Sequence, residues 1–117
     1  MNTGSHRTID REAVAAIIER DDVVVVEALP RSYYEDAHLP GALNLPHDAD
    51  DATIAAVLPE LDRTVVVYCS NLACQNSTIL SRRLAQLGYS DVREYEDGKQ
   101  DWIEAGRLVE SAVGTVG

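Results

Sequence analysis

The sequence predicts an α/β domain with a mainly parallel central sheet that is flanked by helices on both faces. Continuous runs of β-branched residues over 23–26 and 64–67 lack the alternation of a half-exposed strand, so both strands are expected to be buried on both faces. Apolar residues recur at helical spacing between such runs. Regular alternation of buried strands with helices is typical of a parallel sheet.

The predicted elements begin with a helix that Asp10 can cap, because the apolar residues that follow it lie on one helical face. The Asp21-Asp22 pair ends this helix, and the first buried strand follows. Along the rest of the chain, the sequence predicts strands over residues 43–45, 64–68 and 92–95, and helices over residues 32–36, 52–58, 77–87 and 100–105.

The helix over 77–87 has the clearest signals. Asn76 or Ser77 can cap its first turn, and Gly88 can end it in a left-handed conformation. Three leucines form an apolar stripe at i, i+4 and i+7 spacing: Leu80, Leu84 and Leu87.

Length and composition predict a single domain over residues 1–117, with a core from about residue 8 to 106 and a flexible tail over 109–117. No apolar run is long enough to cross a bilayer, and the first seven residues lack the apolar segment of an export signal. We therefore expect a cytoplasmic protein without a membrane partner. The formal net charge of −10, with scattered basic residues, argues against nucleic-acid binding.

Cys69 stands where the strand over 64–68 ends, before a polar loop that leads into a helix. Ligands of parallel sheets bind beyond the carboxyl ends of the strands. Backbone N–H groups of the loop and the positive end of the helix can stabilise a thiolate and lower its pKa. The position alone is equally consistent with Cys69 being a small residue buried in the core. The predicted substrate-binding loop comprises Ser70, Asn71, Leu72, Ala73, Cys74, Gln75 and Asn76.

Four segments resemble the rhodanese-like domain family, and they occur in the family's order over about residues 8–106. Residues 37–46 read A-H-L-P-G-A-L-N-L-P, similar to the family's G-H-I-P-G-A-x-N-I-P. The V-V-V-Y strand before Cys69 resembles the strand that leads into the family's active-site cysteine, and L-G-Y at 87–89 resembles its helix end. G-K-Q-D-W at 98–102 is similar to G-G-I-x-x-W, with Asp97 in place of one glycine.

The resemblance implies a single-domain sulfurtransferase or persulfide carrier without a cofactor. Cys69 would take up a sulfane sulfur as a persulfide and pass it to cyanide, a thiol or a partner protein. His38 is interpreted as structural rather than catalytic, because Pro40-Gly41 can form a turn and Leu43 and Leu45 can pack inward.

The active-site loop departs from the common family pattern. That pattern is C-x-x-x-x-R, whereas the fifth residue after Cys69 is Cys74, and the loop is longer by about two residues. No arginine or lysine lies between Cys69 and Thr78, and the nearest cations are Arg82 and Arg83, further into the helix. Because thiosulfate is a dianion, we expect it to be a poor donor.

A second departure lies at the end of the first buried strand. The family often has D-x-R there, whereas this chain has Glu27-Ala28-Leu29 and lacks the arginine. The sequence therefore does not show what braces the loop at this point.

Cys74 supports an alternative function, a thiol redox enzyme or sensor. As a resolving thiol, Cys74 could attack a persulfide or sulfenate on Cys69; otherwise it packs inward at the base of the helix. A phosphatase or arsenate reductase is disfavoured by the missing loop arginine, and a non-catalytic regulatory module by Cys69 itself. No metal is predicted, because two cysteines do not complete a zinc site and the histidines show no ligand spacing: His6, His38 and His47.

Overall fold

The computed structural model describes residues 6–111 and 114–116, with side chains over 6–111. No helix in this part of the chain is long and apolar enough to cross a bilayer. Its strands are β1 (His6–Ile9), β2 (Val23–Glu27), β3 (Leu43–Asn44), β4 (Thr64–Tyr68), β5 (Asp91–Tyr95), β6 (Val109–Ser111) and β7 (Gly114–Val116). Its helices are α1 (Arg11–Ile17), α2 (Arg31–Asp36), α3 (Asp51–Val57), α4 (Asn76–Gln86) and α5 (Gly98–Glu104).

A five-stranded sheet in the order β1-β5-β4-β2-β3 forms the centre of the fold, and every neighbouring pair in it is parallel. Strand β4 lies in the middle, between β5 and β2. The residue that follows β4 therefore lies at the carboxyl edge of the sheet, between the ends of two neighbouring strands.

Helices cover both faces of this sheet, as the sequence predicts, because successive side chains of β4 point to opposite sides. One face buries Val65 and Val67 against α3 and α4, through Ile54, Leu80 and Leu84. The other face buries Val66 and Tyr68 against α1 and α5, through Val14 and Trp102. The predicted fold class is therefore confirmed.

The predicted ends of α4 are confirmed at one end and wrong at the other. Gly88 follows the helix with a φ of +102°, as predicted. At the start, the N-cap residue is Gln75 and no side chain caps the helix, because Ser77 already belongs to the first turn and its hydroxyl points into the core. Leu87 is exposed, so only the first two leucines of the predicted stripe enter the core. At α1, the predicted cap is confirmed: the Asp10 carboxylate accepts a hydrogen bond of 2.9 Å from the N–H of Ala13.

The chain after residue 108 differs from the predicted flexible tail, because it forms β6 and its antiparallel partner β7. Val109–Ser111 forms β6, the side chain of Val109 is buried, and Glu110 exchanges two backbone hydrogen bonds of 2.8 Å with His38. These residues are part of the fold because they cover the segment around His38 and add Val109 to the core. Residues 112, 113 and 117 of the predicted tail lie outside the described residues.

Candidate functional site

Cys69 directly follows β4, and its side chain is buried at the carboxyl edge of the sheet. The carbonyl of Tyr68 accepts a hydrogen bond of 2.8 Å from the N–H of Ala28, which follows β2. The carbonyls of Cys69 and Ser70 each accept a hydrogen bond of 2.8 Å from the first turn of α5. The end of β2 and the start of α5 thus hold the backbone on both sides of the cysteine.

Gly98 lets α5 approach the loop this closely. Its φ is +74°, and a Cβ there would lie 2.7 Å from the carbonyl oxygen of Cys69 and 2.8 Å from the backbone nitrogen of Asn71. No side chain fits at those distances. The glycine of the G-K-Q-D-W segment is therefore required by the contact between α5 and the loop.

The loop between β4 and α4 is held by hydrogen bonds from Asn71. Its side-chain oxygen accepts from the N–H of Ala73 at 3.0 Å, and its carbonyl accepts from the N–H of Cys74 at 3.1 Å. Its amide group donates to the side chain of Gln100 on α5 at 3.1 Å. The prediction that the loop N–H groups converge on the sulfur is therefore wrong for these two donors, because Asn71 accepts both.

The single proton of the Cys69 thiol has two possible acceptors, one in the loop and one in α4. The thiol lies 3.4 Å from the carbonyl oxygen of Cys74 and 3.4 Å from the hydroxyl oxygen of Ser77. Of the predicted loop residues, the structure therefore brings Cys74 to the sulfur, and it adds Ser77. The other predicted residues form the rest of the loop over the sulfur. Leu72, Ala73 and Gln75 are exposed, and Ser70, Asn71 and Asn76 are half-buried.

Burial raises the pKa of the Cys69 thiol above its ordinary value, and contact with the Cys74 side chain raises it further. Interactions with the hydroxyl group and the backbone of Ser77 lower this pKa, but by less than burial raises it. The predicted lowering of the pKa is therefore wrong, because the burial of the sulfur outweighs its interactions with Ser77. A raised pKa makes the reactive thiolate harder to form than in an ordinary cysteine.

A buried carboxylate lies behind Ser77. The Ser77 hydroxyl donates to Oε2 of Glu94 at 2.8 Å, the Thr78 hydroxyl donates to the same oxygen at 2.6 Å, and Nε2 of His6 lies 3.0 Å from Oε1. Ser77 is 1% exposed and Glu94 2% exposed. Cys69, Ser77 and Glu94 thus form a continuous chain of hydrogen bonds in the core, which the sequence analysis missed.

A second buried network braces the ends of β2 and β4. The ammonium group of Lys99 donates to the carboxylate of Glu27 at 3.1 Å and to the carbonyls of Tyr33 and Ala37 at 2.9 and 2.6 Å. The hydroxyl of Tyr68 donates to the other carboxylate oxygen of Glu27 at 2.7 Å. Lys99, on α5, therefore supplies the cation that the sequence lacks two residues after Glu27.

The surroundings of the loop are acidic. A cavity of about 320 Å³ beside it is lined by Asn71, Leu72, Ala73, Asp97, Gln100, Asp101 and Glu104. The three hydrogen bonds of Lys99 use all of its donors, and Arg83 is bound to the segment that leads into α3 and to its first residue. Neither cation is available to an anion at the loop. Within residues 6–111, no three acidic, histidine or cysteine side chains are grouped so as to hold a metal ion.

A family model described as the rhodanese-like domain matches residues 10–105, which include the whole loop and both buried networks except His6. The chain belongs to the rhodanese-like domain family. This family includes sulfurtransferases, and the resemblance seen in the sequence is confirmed.

Among curated proteins, the HTH-type transcriptional regulator Rv0324 of Mycobacterium tuberculosis is 33% identical over 94 residues. The match covers 79% of this rhodanese-like chain and 39% of the regulator, so the chain spans well under half of that relative.

Solved structures share the fold. The BH2092 protein of Bacillus halodurans has a TM-score of 0.83 at 24% identity, covering 92% of this chain and 79% of that one. Thiosulfate sulfurtransferase from Pseudomonas aeruginosa has a TM-score of 0.79 at 23% identity, covering 92% of this chain and 20% of that one. A rhodanese with anions from E. coli has a TM-score of 0.59 at 28% identity, covering 68% of this chain and 89% of that one.

Proposed function

We propose that this rhodanese-like domain takes a sulfane sulfur onto Cys69 as a persulfide and passes it to a small thiol, cyanide or a partner protein. The observation that carries the proposal is the place of the Cys69 sulfur, at the carboxyl end of the central strand and hydrogen-bonded to Ser77. Membership of a family that includes sulfurtransferases supports it.

The transfer takes two steps. In the first, the Cys69 sulfur attacks the outer sulfur of a donor persulfide; the sulfur–sulfur bond of the donor breaks, and the donor leaves as a thiol. In the second, an acceptor thiolate attacks the outer sulfur on Cys69, and the cysteine is restored with its proton. Because the sulfur is buried under the loop in this structure, both partners reach it only when the loop between β4 and α4 opens.

The preferred donor is uncharged at its sulfane sulfur or delivered by a protein. Thiosulfate would have to enter past an acidic cavity on a domain with a formal net charge of −10. The buried cation, Lys99, is already bound to Glu27 and two carbonyls. Neither Lys99 nor Arg83, which is bound to His47, Ala49 and Asp51, is therefore free to pair with thiosulfate at the loop.

Intact mass spectrometry tests the proposal. The reduced protein is incubated with thiosulfate, a polysulfide or cysteine persulfide, and a gain of about 32 Da marks one added sulfur. We expect the gain with the polysulfide and the cysteine persulfide, little with thiosulfate, and none in Cys69→Ser. The matched variant Cys74→Ser should still gain the mass. Absence of the gain with all three donors, at a Cys69 shown to be reduced, would refute the proposal.

A redox function of the Cys69 and Cys74 pair is the second candidate, since Cys69 contacts the side chain of Cys74 as well as its backbone carbonyl oxygen, and Cys74 is only half-buried. Peroxide would oxidise Cys69 to a sulfenic acid and be reduced to water, and the thiol of Cys74 would then attack the sulfenic acid, forming a disulfide and releasing a second water. Peptide mapping after mild peroxide treatment tests this. A sulfenate that persists on Cys69 without a disulfide would exclude it.

The relative from Mycobacterium tuberculosis, a transcriptional regulator, makes a regulatory role the third candidate. A regulatory domain would hold the sulfur on Cys69 as a signal, whereas a transferase would release it repeatedly. Thiocyanate formed from cyanide separates the two, because a transferase forms many equivalents per protein and a sensor about one or fewer.

A further inference from the structure

We propose that Glu94 holds the proton of Cys69 while the cysteine carries sulfur, and that the Ser77 hydroxyl passes this proton between them. The reaction context rests on the function proposed above. The chain of contacts does not depend on it: the thiol donates to Ser77 at 3.4 Å, and Ser77 donates to Glu94 at 2.8 Å.

The direction of these hydrogen bonds suits proton transfer. Ser77 accepts from the thiol and donates to the carboxylate, so one shift along both bonds turns a thiol and a carboxylate into a thiolate and a carboxylic acid. The total charge of the buried cluster does not change in this shift. Release of the proton to solvent would instead leave two negative charges within a few ångströms in the core, where each charge is costly.

The proton is balanced over the two steps of sulfur transfer. During uptake, the thiol proton moves through Ser77 to Glu94 as the sulfur of Cys69 attacks the donor. The outer sulfur keeps its own proton, and the donor leaves as a thiolate that is protonated in solvent. During release, an acceptor thiolate takes the outer sulfur with its proton. The thiolate of Cys69 then recovers its proton from Glu94 by the same path.

The groups around this path are few among the described residues. Thr78 donates to Oε2 of Glu94 from α4, and the ring of His6 approaches Oε1 from β1. The backbone carbonyl oxygen of Cys74 also lies 3.4 Å from the sulfur, so it competes with Ser77 for the single thiol proton. Thr78 orients the carboxylate, whereas His6 is a titratable neighbour that the experiment must control for.

An internal base has a distinctive pH profile. The form with a thiolate and a carboxylic acid contains as many protons as the form with a thiol and a carboxylate, so its share of the protein does not change with pH between the two pKa values. Without the internal base, the thiolate forms only by losing a proton to solvent. The rate then rises about tenfold per pH unit below the pKa of the thiol.

The test measures Cys69 alkylation by iodoacetamide, resolved by peptide mapping from Cys74, between pH 7 and 8.5. The same variants are then timed for sulfur uptake from a polysulfide. Glu94→Gln keeps the size of the side chain and removes the base, and Ser77→Ala breaks the path. Ser81→Ala is the matched control, because Ser81 is buried on the same helix and its hydroxyl has no hydrogen-bond partner in the described structure.

We expect a nearly flat alkylation profile for the unmodified protein and for Ser81→Ala, and a steep profile for Glu94→Gln and Ser77→Ala. The rate of sulfur uptake at pH 7 should fall about 100-fold in Glu94→Gln and in Ser77→Ala, because general-base catalysis contributes on that scale. Flat profiles in Ser77→Ala and Glu94→Gln would overturn the inference, as would a steep profile in His6→Gln, which would make the imidazole the base.

Failure of the proposed function has a different signature. One outcome is that the unmodified protein gains no sulfur while its alkylation profile is flat and that of Glu94→Gln is steep. That result would support the proton path and refute the proposed sulfur transfer. Circular dichroism shows whether each variant is folded, and Ser77→Ala, which keeps Glu94 and its contact with Thr78, provides the test if Glu94→Gln does not fold.

Discussion

Replacement of Gly98 by alanine tests how tightly α5 packs on the loop of Cys69. The added Cβ would lie 2.7 Å from the carbonyl oxygen of Cys69, and 2.8 Å from both the backbone nitrogen of Asn71 and the carbonyl carbon of Ser70. All three neighbours are backbone atoms, so they cannot move aside as a flexible side chain can. The helix or the loop must therefore shift.

The cost has two parts that a matched variant separates. Gly41 has the same φ of +74°, and a Cβ there meets nothing within 4 Å. Gly41→Ala therefore loses only the free energy of placing a residue with a Cβ in the left-handed conformation, about 1–2 kcal/mol. Gly98→Ala carries this cost and overpacking of about 1–3 kcal/mol, which gives about 2–5 kcal/mol in total.

Urea denaturation of both variants measures the two parts. We expect the unfolding midpoint of Gly98→Ala to lie below that of Gly41→Ala by about 1 M, given a slope of about 1–3 kcal/mol per molar urea. Sulfur uptake by Cys69 should slow in Gly98→Ala only, because only there does the loop move. Equal midpoints for the two variants would refute the close approach of α5 to the loop.

Three further predictions concern buried polar groups. Burial raises the pKa of Glu27, so its contribution to the free energy of unfolding is largest below the ordinary value of 4.5 and is lost as pH rises through the raised value. Lys99→Met should cost about 3–5 kcal/mol at neutral pH and extend this loss to higher pH, and Glu27→Gln should remove it, which urea midpoints over a pH series will show. Ser81→Ala should raise the free energy of unfolding by about 1 kcal/mol, because it removes an unpaired hydroxyl; a lower midpoint would contradict the absence of a partner. Tyr68→Phe should cost about 1–3 kcal/mol in the same assay, because the N–H of Leu39 loses its acceptor at 3.0 Å; an unchanged midpoint would show that this N–H finds another acceptor.

The central strands could be predicted from the sequence because burial on both faces leaves continuous β-branched runs. Strand β4 has the predicted bounds, and the other elements whose two bounds were predicted begin and end within two residues of those observed, whereas α1 ends at Ile17, before the predicted break at Asp21-Asp22. Strand β1 could not be predicted, since H-R-T-I has no such run and becomes a strand only by pairing with β5. Strand β6 was missed because it forms through antiparallel pairing with β7 and through the bridge between Glu110 and His38.

The position of Cys69 could be predicted, but its chemical surroundings could not. Ser77 has the sequence signal of a helix cap, and only the start of α4 at Asn76 turns its hydroxyl towards the sulfur. Glu94 and Lys99 reach the site from β5 and α5, and no local pattern shows which buried partner a charged residue will find. The direction of the thiol pKa depends on the depth of the sulfur, which sequence spacing does not contain.

The pair of Lys99 and Glu27 joins residues that are 72 positions apart in the chain. In the common family pattern the cation stands two residues from the acid, so that brace can form early and locally. Here a long loop must close before the ions meet, and such contacts form late on the folding path. We therefore expect this pair to act mainly on the rate at which the folded protein opens, and hardly on the rate at which it folds. The brace thus makes the lifetime of the assembled site depend on the docking of α5.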